Sequence, residues 1–108
     1  MKDLKISKEL LSEVLGYEVD AFLGINKNEI DYTCCRDKDI GYEDISINIY
    51  EFAFKCKEWL IVNKIDFTIW VTDKYRFYSE KHHLDIESFS EIEAIVKACE
   101  WILSEVSK

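Results

Sequence analysis

Between Ser90 and Val106 the apolar residues are Ile92, Ile95, Val96, Cys99, Ile102, Leu103 and Val106. Steps of three and one place them on one face of an α-helix. Ser90 predicts the N-cap with Glu93 completing a capping box, and Ser88 with Glu91 is the alternative start. The segment after Asn48 repeats the pattern, with Ile49, Phe52, Ala53, Cys56, Trp59 and Leu60 as its stripe and Asn63 as its stop. A shorter helix follows Ser7, with Leu11, Val14 and Leu15 on its stripe, Ile6 as a hydrophobic staple and Gly16 as its terminator.

The other regular signal is alternation. Val19, Ala21, Leu23 and Ile25 alternate with Asp20, Phe22 and Gly24, and Asn26-Lys27-Asn28 predicts a turn into a return strand from Ile30 to Cys35. Phe67, Ile69 and Val71 alternate with Thr68, Trp70 and Thr72; a turn near Asp73-Lys74 leads to a return strand over Tyr75–Glu80, extendable through Lys81-His82-His83. Arg36 to Asp44 reads as an acidic surface loop, Ile45-Ser46-Ile47 as a strand extension or a lead into the helix, and Leu84 to Ser88 as an acidic connection.

These elements predict the order α-ββ-α-ββ-α. The expected fold class is α+β: a two-layer sandwich with a four-stranded antiparallel sheet and helices packed on one face. Residues 18–63 and 66–107 also suggest an internal ββα duplication, because a shift of 42 lays Glu58-Trp59 on Glu100-Trp101 and a shift of 43 lays Cys56 on Cys99.

Composition narrows the picture. The chain has 108 residues, 48% of them hydrophobic, with no proline and 3 glycines, which fits one domain with a real core and short connections. The net charge is −8 and Arg36 and Arg76 are its only arginines, so direct nucleic-acid binding and attachment to an anionic membrane are excluded as expectations. Such a chain suits a basic partner surface, or simple solubility. None of Cys34, Cys35, Cys56 and Cys99 forms a C-x-x-C, and no leader or membrane-length apolar run is read, so reduced thiols in a cytoplasm are expected.

Candidate chemistry is sparse. Adjacent Cys34/Cys35 and adjacent His82/His83 point to opposite faces of a strand, leaving too few converging ligands for structural zinc. Counted from Asp37, an EF-hand loop would have glycine sixth and glutamate twelfth; here glycine is fifth and Asn48 twelfth. There is no nucleophile elbow and no glycine-rich phosphate loop, so neither an enzyme nor a cofactor is expected. The aromatics carry more. Trp70 and Tyr78 are expected on the sheet face opposite Ile69, and Phe22 on the equivalent face of the first hairpin, unless another helix covers it. Trp101 lies off the main stripe of the last helix and marks a packing or dimer contact. The acids Asp37, Asp39, Glu43 and Asp44, with Asp85 and Glu87, are the candidate contacts to a basic partner.

At ISKELLSEVLGYEV, FKCKEWLI and KACEWILSE the chain resembles small accessory proteins of unassigned function carried by bacterial phages and prophages. The resemblance spans most of the chain, rests on helix caps and core positions, and transfers no catalytic residue. It implies an accessory phage gene, whose small acidic products often inhibit host defence complexes, sometimes by imitating nucleic acid. Two readings follow. One is a non-catalytic, anti-CRISPR-like binding protein acting on a basic bacterial host protein in the host cytoplasm. The alternative is a small structural module that pairs with a second copy through the exposed sheet face or Trp101.

Overall fold

A computed structural model describes residues 4–37 and 39–106, apart from the side chains at 36 and 37. The elements are α1 (Lys8–Leu15), β1 (Ala21–Asn26), β2 (Glu29–Asp37), β3 (Gly41–Asn48), α2 (Ile49–Val62), β4 (Thr68–Val71), β5 (Tyr75–Ser79), β6 (Leu84–Ser88) and α3 (Glu91–Val106). The fold is α+β, but the expected four-stranded sheet is wrong. The described residues form two separate three-stranded antiparallel sheets, β1-β2-β3 and β4-β5-β6, in the order α-βββ-α-βββ-α.

The extra strands are Gly41–Asn48, of which only Ile45-Ser46-Ile47 suggested a strand, and Leu84–Ser88, whose acids suggested a connection. In β3, Ile45 and Ile47 pair with Tyr32 and Ile30, while Asp44 and Ser46 take the opposite face. In β6, Leu84 and Ile86 pair with Ser79 and Phe77, while Asp85 and Glu87 point outward. The acids occupy the solvent face of half-buried strands, as antiparallel sheets permit. Residues 80–83 form a turn and do not continue β5.

The chain divides into two compact units, Met1–Phe52 and Ala53–Lys108, and the division falls inside α2. In the first unit, Leu10, Leu11, Ile30, Cys34, Ile49 and Phe52 are fully buried. Ser7 caps α1 by accepting from the Leu10 N–H at 3.0 Å, and Gly16 ends it at φ 83°. Ser12 Oγ donates to the Lys8 carbonyl at 2.7 Å and accepts from the Val19 N–H at 2.8 Å, fixing how the chain leaves α1. The Tyr17 and Tyr32 hydroxyls share a hydrogen bond.

The alternation expected across Val19–Ile25 breaks in β1. Phe22 pairs with Tyr32 and Gly24 with Asp31, so Leu23 is an extra residue, and Gly24 takes φ 144° beside it. The bulge resets the phase, leaving Leu23 exposed and putting Phe22 and Ile25 opposite the buried Tyr32 and Ile30.

In the second unit α3 packs on β5 and β6. Ile92, Ile95, Val96, Cys99 and Ile102 are buried as predicted, and so are Ala94 and Ala98, whereas Leu103 is half-buried and Val106 is exposed, so the buried face is shifted toward the alanines and ends a turn early. Phe67 and Phe77 stack at 5.4 Å on the inner sheet face. Ser90 caps α3 by accepting from the Glu93 N–H at 3.4 Å, while the Glu93 carboxylate takes the Ser88 hydroxyl at 3.0 Å. Asn48 caps α2, its Oδ1 accepting from the N–H groups of Tyr50 and Glu51. Among the described residues no helix is long and apolar enough to cross a membrane.

Candidate partner-binding faces

Each unit presents the outer face of its sheet, and the two faces differ in chemistry. In the first, the buried residues of β2 are Ile30, Tyr32 and Cys34, so Glu29, Asp31 and Thr33 take the opposite face. Across the β2–β3 ladder, Thr33 pairs with Asp44 and Asp31 with Ser46. The Thr33 hydroxyl donates to Asp44 at 3.0 Å, and the Ser46 hydroxyl donates to Asp31 at 2.5 Å. Neutral hydroxyls thus hold two carboxylates in place without cancelling their charge. Glu29 lies on the same face, two residues from Asp31, and Tyr42 is exposed further along it.

This arrangement redistributes the acids expected to form one loop cluster. Asp39 is exposed in the turn between β2 and β3. Glu43 pairs with the buried Cys34 and is half-buried on the inner face, whereas Asp44 points outward, because neighbours in a strand project to opposite sides. The Asp37 side chain lies outside the described residues. Sequence reasoning missed Glu29 and Asp31. Their alternation with Ile30 and Tyr32 was the available signal, and their place on one face with Asp44 and Ser46 emerges only once β3 is recognised as a strand.

On the second sheet's outer face, Thr68, Tyr78 and Asp85 form one cross-strand row, and Trp70, Arg76 and Glu87 form the next. Trp70 and Tyr78 stack diagonally with centroids 5.7 Å apart and planes 11° from parallel. Arg76 lies beside them, its Nε 2.8 Å from Asp85 and its Nη2 3.4 Å from Glu87. Asp85 and Glu87 are therefore already paired with a cation of their own sheet, unlike Asp31 and Asp44. Phe22 does not occupy the equivalent outer position. Its register partner is Tyr32, so it lies on the inner side of the first sheet, and the β1 bulge is the reason. Trp101 is 39% exposed on α3.

Cys34, Cys56 and Cys99 are buried, Cys35 is exposed, and no cysteine is in a disulfide. A hydrogen bond to Cys99 and burial push the Cys56 thiol far up from its ordinary value, which keeps it neutral and unreactive. Among the described residues no group of three His, Cys, Asp or Glu side chains is placed to hold a metal ion. Comparison with protein families, with curated proteins and with solved structures finds no match.

Proposed function

We propose that the protein is a non-catalytic, phage-encoded binding protein that inhibits a bacterial host protein through a basic surface on that partner, of the kind used by nucleic-acid-handling defence complexes. The observation that carries this reading is the pair Asp31 and Asp44: carboxylates on a solvent-facing sheet, held by serine and threonine hydroxyls. A charge already fixed in place loses little side-chain freedom on meeting a cation, so more of the attraction is available for binding. The net charge of −8 likewise favours a positively charged partner, and the sequence resemblance supplies the phage setting.

The test is recovery of a partner from host lysate with tagged protein, comparing the native chain with the double variant Asp31→Lys, Asp44→Lys. One dominant partner is expected with the native chain. Its retention should fall steeply as salt rises, and it should be lost with the double variant. Recovery of the same partner by both proteins would overturn the acidic-face reading. No partner, together with no effect on phage infection, would overturn the inhibitor reading.

A further inference from the structure

The strands at the edges of the two sheets are not equally protected. Natural proteins blunt an exposed edge with charges, bulges or proline, because its unpaired backbone groups will accept another strand. β1 has the bulge at Leu23–Gly24, β3 carries Glu43 and Asp44, and β6 carries Asp85 and Glu87. β4 has none of these. It is the edge of its sheet, its residues are Thr-Ile-Trp-Val, Thr68 is exposed, and Trp70 and Val71 are 49% and 62% exposed.

The chemistry of this stretch is also symmetrical about Trp70. From Thr68 to Thr72 it reads threonine, β-branched, tryptophan, β-branched, threonine. A strand pairing antiparallel with its own copy places residue i opposite residue j at a constant sum of positions. Side chains facing one another must also share a sheet face, which admits only even sums. Centring on Trp70 puts Trp70 opposite Trp70, Ile69 opposite Val71 and Thr68 opposite Thr72. Aromatic, β-branched and threonine partners are the combinations that stabilise antiparallel ladders. In this register no acid falls opposite an acid, since Asp66 faces Lys74 and Asp73 faces Phe67. The strip from Phe67 to Thr72 carries no charge, so two chains of net charge −8 can approach along it without opposing like charges.

We propose that β4 is a self-association edge whose occupant is β4 of a second copy, antiparallel, with the two-fold axis through Trp70. The two three-stranded sheets become one of six strands. The two Trp70–Tyr78 stacks meet at the axis as a row of four rings on the outer face. A five-residue edge covers far less than the ~800 Å² per partner of a standard interface, so the dimer is a concentration-dependent one. The inference is independent of the acidic face, which lies on the other sheet.

Sedimentation equilibrium between about 1 µM and about 1 mM is expected to show a monomer–dimer equilibrium, the range that a small contact can populate. Trp70→Lys, which places two like charges at the axis, is expected to be monomeric throughout, with circular dichroism confirming that it folds. The register is tested in a Cys35→Ser background under mild oxidation. Thr68→Cys mixed with Thr72→Cys should give a disulfide-linked dimer, while Thr68→Cys alone should not, because those two positions lie about 13 Å apart along the ladder. A native chain monomeric over the whole range, or a folded Trp70→Lys variant that still dimerises, would overturn the proposal. Crosslinking of Thr68→Cys alone as fast as the mixture would overturn the register.

Discussion

Lys64 ends α2 in the left-handed region, at φ 57°. The Ile65 N–H donates to the Leu60 carbonyl at 2.9 Å and the Lys64 N–H to Ile61 at 3.0 Å, the two bonds of a Schellman turn. A residue with a Cβ is strained there, so Lys64→Gly should stabilise the protein by about 0.5–1 kcal/mol, read from urea unfolding. The helix end was legible from Asn63, but the strained position one residue later was not, since lysine carries no turn signal. Asp66 shows a second local device. It accepts from Ser79 Oγ at 3.2 Å and from the Lys81 N–H at 3.4 Å, joining the approach to β4 with the turn after β5. Desolvation works against its carboxylate, but the hydrogen bonds from Lys81, Ser79 and neighbouring backbone outweigh it and hold the group below its ordinary value. A carboxyl depressed in the folded state contributes stability above its unfolded value, and that contribution is lost as pH falls through the folded value. Asp66→Asn should therefore lower stability at neutral pH and bring it closer to the native chain as pH falls through the acidic range. Chemical unfolding across that range checks the sign.

At the scale of elements, capped helices were the most legible part of the chain. Ser7, Asn48 and Ser90 all cap the helices that follow them, because a side-chain acceptor two or three residues from an unpaired N–H is a local arrangement. Strands depend on distant partners. Residues 41–44 and Leu84–Ser88 contain enough acid to resemble loops until β2 and β5 lie beside them. Hydrogen exchange should show slowed amides in both segments, on the ladder-bonded residues only, since each is the outermost strand of its sheet. Phe77 joins strand to core: it is fully buried, pairs with Ile69 and Ile86, and stacks on Phe67. Phe77→Ala should cost about 3–5 kcal/mol in thermal or urea unfolding, through lost burial and the cavity left behind.

For the whole molecule, the thiols report the folded state. Cys34, Cys56 and Cys99 are fully buried and Cys35 is exposed. A thiol reagent should modify Cys35 quickly in the folded chain and reach the other three only at the rate of opening, so counting modified cysteines against time under native and denaturing conditions checks this. Net charge, the scarcity of arginine, the helix stripes and caps, and the α+β class were all determined by the amino-acid sequence, because each depends on composition or on residues within two turns of one another. The tertiary structure decided what depends on pairing at a distance. It set three strands per sheet, the bulge that turned Phe22 inward, and the separation of Glu43 from Asp44 onto opposite faces. It also cast Asp31 as a partner of Ser46 and, among the described residues, left β4 as an edge strand without charge or bulge. A side chain's face in a strand follows from register, and register is set by the neighbouring strand, which local sequence does not name.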